Sequence, residues 1–399
     1  MLPESFIIEH ENDDLAALVL HRDRWPDVDV ALAAECIASR RKLRLKVPEW
    51  YADPALICPL ALSAEQCSST ATASYKAAVA RAVRIADLTG GLGIDCWQFA
   101  KVAWAVLYNE MNPVLFEAAK ANLKRLGCDN VEFSNICISP ETLPGLLDSF
   151  RPDLVFADPA RRSEGRKVFM PEDCSPDVLA LQDIVLDRGC RFMIKLSPMA
   201  DISLMLRKFH CVKELHIVEA DGECKELLLL MEPGFAGETT LVVAIAGNDG
   251  GGFRFTISEE KTAAPVFVSS MPKPGQLLFE PGPALAKSGA FKLISEKYGL
   301  RKLGPDTHLY ITDSKVSDLE PCGKWFEIQE VAPFGKAALR DFATRWPGAG
   351  VTARALPLSS DELRTKMGLK GGSDAHIFGL GTALGRLLIA ASRWIPGLR

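Results

Sequence analysis

Between Val83 and Met231 short apolar runs of strand character alternate with helical patterns, and this alternation constrains the fold more than any other feature. "VRIADL" precedes "GIDCWQFAKV", and "AWAVLYNE" precedes "PVLFEAAKANLKRLG", a helix with proline first and glycine last. "VEFSN" precedes "SPETLPGLLDSF", "PDLVFADP" precedes "PDVLALQDIVLDRG", and "CRFMIKLSP" precedes "ISLMLRKFH". "ELHIVEADGECKELLLLM" then carries two strands around Asp221-Gly222, a hairpin signal. Such alternation marks a parallel sheet covered by helices. The expected fold class is α/β, with a doubly wound sheet of about seven strands, the last one antiparallel.

The rest of the 399 residues divides around this region. Residues 1–80 read as a helical segment. In it "DVALAAECIASRRKLRLK" ends before Val47-Pro48, and "SAEQCSSTATASYKAAVARAV" forms a second helical stretch with Ser63 as N-cap and Gln66 at the capping-box position. Residues 81–235 hold the alternating region. The pattern changes near Gly234–Gly237. Residues 236–322 read as a β-rich stretch with a glycine turn, then strand, helix and strand over "QLLFEPGPALAKSGAFKLISEKYGL" and "HLYITD". Residues 323–399 read as a further small α/β unit with strands "WFEIQEV", "GVTARAL" and "HIFGLG".

Composition removes several classes. Hydrophobic residues make up 48 % and charged residues 24 %, the balance of a globular protein. No apolar run is long enough to span a bilayer, and the acidic N-terminus lacks the basic start of a signal peptide, so a cytoplasmic location and no membrane partner are expected. The eleven cysteines are scattered without a CxxC pair, and the six histidines lack ligand spacing, so no metal is expected. Net charge is −5 but uneven: from Arg301 onward 14 Lys and Arg face 10 Asp and Glu, leaving −9 on the first 300 residues. An acidic body with a mildly basic tail permits a local polyanion contact. The basic run "RRKLRLK", Arg40 to Lys46, reads as a solvated helix face unless it shares a face with a pocket.

The turn "DLTGGLGID" follows the first strand. A phosphate-cradling loop of the GxxxxGK[ST] kind needs a lysine that is missing here. A dinucleotide fingerprint needs a third glycine where Cys96 stands. Asp87-Leu88-Thr89-Gly90-Gly91-Leu92-Gly93 instead resembles the turn of the class I S-adenosylmethionine-dependent methyltransferases. The resemblance implies a Rossmann-like seven-stranded methyltransferase sheet with S-adenosyl-L-methionine as cofactor. Asp87 would meet its ammonium, and the backbone of Thr89, Gly90, Gly91 and Gly93 its carboxylate and sulfonium region. Glu110, at the end of the second strand, is placed to bind both ribose hydroxyls. Asn135, after the third, is a candidate for reading the adenine amino group.

The fourth strand ends in Asp158-Pro159-Ala160-Arg161-Arg162. It resembles the [DNS]-P-P-[YFW] motif of N-methyltransferases acting on nucleobase or glutamine amides. There the acid and the proline carbonyl hold a target amine in line with the methyl group, and an aromatic residue stacks on the base. Asp158 and Pro159 are thus the catalytic candidates. The second proline and the aromatic are lost; Phe169 or Tyr75 are substitutes for the stacking role. Arg161, Arg162 and Lys195 are substrate-binding candidates at the same rim.

Two wider resemblances follow. "AEQCSSTATASYKAAVARAV" and "GGLGIDCWQFA" resemble segments of trimethylguanosine synthase-like RNA methyltransferases, which implies that Gln66, Ser69 and Lys76 face the active site. From about Pro48 onward the chain is similar to a bacterial methyltransferase family with a THUMP-like C-terminal domain, on "EQCSS", "DLTGGLGID", "DPARR", "EPGPALAKSGAFKL" and "RALPLSSDELRTKMGLKGGSDAHIFGL". This implies a ferredoxin-like segment over 236–322, a THUMP-like domain over 323–399, and an RNA partner, tRNA or rRNA, for which Arg354, Arg364, Lys366 and Lys370 are suitably basic. The expected activity is methyl transfer to a nucleobase of structured RNA. The alternatives are a methyltransferase acting on a protein or small molecule, or a cofactor-binding RNA module without catalysis.

Overall fold

A computed structural model describes residues 4–161, 171–247, 252–372 and 375–394. The chain divides into two compact units, residues 1–215 with 225–238 and residues 216–224 with 239–399. No helix among the described residues is long and apolar enough to cross a membrane.

In the first unit β1 (Arg84–Asp87), β2 (Ala105–Asn109), β3 (Val131–Ser134), β4 (Leu154–Ala157) and β5 (Arg191–Leu196) run parallel. The start of β6 (Val212–Ala220) and most of β7 (Glu223–Met231) complete it, giving the order β6-β7-β5-β4-β1-β2-β3. β7 is antiparallel to β5. β2 and β4 are buried throughout, as strands covered on both faces must be. Chain order reverses between β1 and β4, so a crevice opens outside their carboxyl ends. Asp87 ends β1, Asp158 follows β4, and Glu110 follows the adjacent β2.

The helices start where local chemistry satisfies their first N–H groups. Asn112 caps Pro113–Arg125, accepting from Val114 N at 2.9 Å. The stretch expected as one helix before β1 is two, Ala61–Gln66 and Thr70–Ala80. Ser69, not Ser63, is the cap, and its capping box is closed by Thr72. The break at Cys67–Ser69 lets Ser68 Oγ turn to Asp95 Oδ2, 2.8 Å away. The basic run also differs from a simply solvated face. Arg40 is buried and donates to the carbonyls of Tyr51 and Asp53, Arg41 to those of Glu11 and Asp13, and Lys46 to that of Glu65.

In the second unit β8 (Thr240–Ile245) pairs antiparallel with β9 (Gly252–Thr256). The following strands are β10 (Leu277–Pro281), β11 (Arg301–Lys302), β12 (Tyr310–Thr312), β13 (Gly323–Pro333), β14 (Gly350–Arg354), β15 (Ala375–Thr382) and β16 (Gly385–Arg393). They form one sheet in the order β11-β12-β10-β13-β16-β15-β14. β10 pairs with β13, so the two small α/β segments expected on either side of residue 323 share this sheet. Arg354 Nη2 is 3.6 Å from Glu280 Oε1, and Lys370 is exposed.

Candidate active site

The glycine turn is set by its neighbours on β2. A Cβ at Gly90 would fall 2.1 Å from the Tyr108 ring, and the Tyr108 hydroxyl donates to Gly91 O at 2.6 Å. Only glycine allows that approach. Gly91 and Gly93 hold φ of +54° and +92°, where a side chain is strained. Asn109 fastens β2 to both neighbouring loops: its amide donates to Leu88 O and Ile136 O, and its carbonyl accepts from Ile136 N.

Glu110 is fixed by backbone donors. Oε2 accepts from Gly91 N at 2.9 Å and Oε1 from Asn112 N at 2.8 Å. Asp87 is fully buried; Oδ1 accepts from Thr89 N at 3.0 Å, and Oδ2 has no hydrogen-bond partner among the described residues. Burial, and after it the charge of Asp95, push its carboxyl well above the usual range. Just past β4 the Asp158 N–H donates to Thr89 Oγ1 at 2.7 Å, and Asp158 Oδ2 accepts from Lys195 Nζ at 2.6 Å. The Lys195 ammonium is pulled down by burial, but Asp158 and Glu226 outweigh this and hold it above its ordinary value.

These elements enclose a cleft of about 400 Å³. Of the residues expected from sequence, Gln66, Thr89, Gly90, Gly91, Glu110 and Asp158 line it. Asp87, Gly93, Pro159 and Lys195 support it without lining it, and Tyr75 does not line it. Asn135 is exposed and outside the lining, its amide donating to Glu110 O. Ser69 acts as a helix cap. The Arg161 backbone pairs with Cys174, while its side chain, Arg162 and Phe169 lie outside the described residues. Arg354 and Lys370 belong to the second unit.

Sequence reading missed Asp95, Ser68 and Glu226. Asp95 and Ser68 line the cleft, and Lys76 lies fully buried behind them. The available signal was Glu226, a lone carboxylate in the apolar strand "CKELLLLM", which burial obliges to find a partner.

The lining suits the expected cofactor. Its carboxylates are Asp95, Glu110 and Asp158, and among the described lining residues there is no Lys, Arg or His. A pyrophosphate would find no cation there. S-adenosylmethionine has no phosphate and carries a sulfonium and an ammonium. A cation beside Asp87 would also relieve the unpartnered Oδ2.

Fold and cleft together define a class I methyltransferase architecture: seven strands in this order, a glycine turn after the first and a carboxylate after the second. Comparison with known proteins agrees. The chain is similar to a protein of Porphyromonas gingivalis W83 described as a methyltransferase. The two share 30 % identity and a TM-score of 0.86, over 99 % of this chain and 100 % of that one. It is 24 % identical over 309 residues to an uncharacterized S-adenosylmethionine-dependent methyltransferase of Mycobacterium tuberculosis, covering 77 % of this chain and 80 % of the relative. Residues 277–319 match a ferredoxin-like domain model and residues 323–393 a THUMP domain-like model. The chain belongs to the S-adenosylmethionine-dependent methyltransferases with a THUMP-like C-terminal domain, and its cofactor is S-adenosylmethionine.

Proposed function

We propose that the protein methylates an exocyclic amine of a nucleobase in structured RNA, tRNA or rRNA. The observation that carries this reading is Asp158. Its carboxylate lines the anionic cleft just beyond β4, with one oxygen held by Lys195 and its backbone held by Thr89. Among the described residues the other oxygen has no hydrogen-bond partner, and in this reading it accepts an N–H from the acceptor. That contact, with the Pro159 carbonyl, aligns the amine lone pair for in-line attack. The cofactor supplies an electrophilic methyl group; as its C–S bond breaks a C–N bond forms, and one acceptor N–H proton leaves.

In this reading Glu110 takes the ribose hydroxyls, Asp87 and the turn backbone take the amino-acid end, and Ile136 and Ile138 flank the adenine. Asn135 braces Glu110 through its carbonyl. Gln66 closes the cleft from the helical segment that precedes β1. The THUMP domain-like match and the basic residues Arg354, Arg364, Lys366 and Lys370 support an RNA-docking role for residues 323–399.

Mass spectrometry of RNA nucleosides from cells with and without the gene tests this. A methylated base that disappears with the gene, and is not restored by Asp158→Ala, supports it. A full nucleoside complement without the gene overturns it. A second reading, methylation of a protein or small molecule, is favoured by one feature: among the described lining residues there is no Phe, Tyr or Trp to stack on a base. Transfer of labelled methyl to protein rather than to bulk RNA would select it.

A further inference from the structure

Lys76 is fully buried on the helix Thr70–Ala80. Its ammonium donates to Ser68 Oγ at 2.8 Å and to both Glu226 oxygens at 3.2 Å, and it pairs with Asp95 Oδ1 at 3.0 Å. Ser68 Oγ in turn donates to Asp95 Oδ2. Glu226 is 2 % exposed on β7, where the neighbouring Leu228 is in register with Lys195 of β5. Lys195 holds Asp158. Five charged side chains thus share one polar seam beneath the cleft: Asp95, Asp158 and Glu226 against Lys76 and Lys195.

Counted with every group ionised, the five side chains carry three negative charges against two positive. Burial pulls the Lys76 ammonium down, but Asp95 and Glu226 outweigh it and keep it cationic. Burial pushes the Glu226 carboxyl up, opposed by Lys76 and Lys195. Replacing such a cluster with apolar residues often stabilises a protein, so packing alone gives no reason to keep it. Two of its carboxylates, Asp95 and Asp158, form cleft wall, whereas Glu226, Lys76 and Lys195 do not line it. The charge therefore acts on whatever occupies the cleft, and its buried part, Lys76 with Glu226, is screened by salt much less than a surface charge.

The methyl donor carries one positive charge more than its demethylated product. We infer that this buried seam is a charge selector, favouring the cationic S-adenosylmethionine over the neutral thioether S-adenosylhomocysteine in the same cleft. Loss of the methyl group then removes the attraction along with the charge, and product leaves more readily than donor. The inference rests on the methyl-donor site and not on the RNA acceptor, which enters none of the measurements.

The test is calorimetry on the full chain with S-adenosylmethionine, S-adenosylhomocysteine and sinefungin, a stable analogue that carries a cationic amine at the sulfonium position. The key variant is Glu226→Gln, which removes the charge without touching the cleft wall and leaves an acceptor for Lys76. The preference for sinefungin and donor over the thioether is expected to fall about tenfold, with thioether affinity itself nearly unchanged. Asp95→Asn is expected to shift the same ratio in the same direction, and it serves if Glu226→Gln melts below the wild type. Equal weakening of all three ligands, or an unchanged ratio in folded variants, would overturn the selector. Wild-type protein that binds none of them would overturn the donor site as well.

Discussion

The two sides of the cleft are built by different means. On the β1–β2 side the acids at and behind the cleft wall are fixed by backbone: Glu110 accepts from Gly91 N and Asn112 N, Asp87 behind it from Thr89 N, and the turn is shaped by glycines against Tyr108. On the β4–β5 side the cleft-wall carboxylates are held by side chains behind the wall, from distant segments: Lys195 holds Asp158, and Lys76 holds Asp95 and is itself paired with Glu226 across 150 residues. The first arrangement is rigid and suits an invariant cofactor. The second depends on charge balance and suits chemistry and discrimination. Substitutions on the two sides should therefore fail in different ways.

The largest effect is expected at Asp158. Asp158→Ala should lower methyl transfer at saturating donor by about 100-fold, the cost of a misaligned acceptor. Glu110→Gln, across the cleft, should instead raise the donor KM about tenfold with kcat little changed, because it removes binding rather than alignment. Equal kcat losses from both would erase the distinction between the two sides. Lys76→Met comes next. It leaves Glu226 and Asp95 without their buried counter-ion and should cost about 3–5 kcal/mol in denaturant unfolding. A loss below about 1 kcal/mol, the level of an exposed pair, would mean that the seam is hydrated rather than buried.

This contrast also explains what was legible in the sequence. A glycine turn shows itself locally, because positive φ and close approach demand glycine at fixed offsets, and Gly90, Gly91 and Gly93 stand at them. Glu110 was visible as an acid at a strand end, and Asp158 because Asp158-Pro159 resembles a methyltransferase motif; both line the cleft. Asp95 looked like any acid in the first turn of a helix, where it complements the helix dipole. Its partners Ser68 and Lys76 come from before β1, and Glu226 from β7, so no spacing rule connects them. The break at Cys67–Ser69 was hidden for the same reason: Ser63 and Ser69 are both good cap residues, and the break that puts Ser69 at the cap also brings Ser68 to Asp95, 27 residues away. In the second unit the strand patterns were readable one by one, but not that β10 and β13 join them into one sheet.

A smaller effect is expected at the turn itself. Gly90→Ala drives a methyl group into the Tyr108 ring and should cost about 1–3 kcal/mol, with weaker donor binding because Gly91 is displaced. Tyr108→Leu in the same chain removes the clashing ring atoms and should restore part of the stability. It should not restore donor affinity, since the hydroxyl that holds Gly91 O is also gone. Full recovery of both would show that the turn needs space alone and not the Tyr108 hydrogen bond.

The smallest effect is expected at Asp87, and it has the opposite sign. Its carboxyl in the folded protein is held well above the ordinary aspartate value, chiefly because it is buried. The folded protein therefore binds that proton more tightly than the unfolded chain does. The stability this contributes is fully present below about pH 3.8 and is lost as pH rises through the native value. Ionising this buried carboxyl therefore costs the fold stability. Asp87→Asn should raise stability at pH 7 by about 1 kcal/mol while weakening donor binding, the trade expected of a residue retained for function. The gap between variant and wild type should close on acidification toward pH 4, as the wild-type carboxyl gains its proton. Denaturant unfolding of both proteins across that range measures it. A variant less stable than wild type at pH 7 would mean that Oδ2 of Asp87 has a cationic partner in the folded protein, and that the β1–β2 side too relies on charge balance.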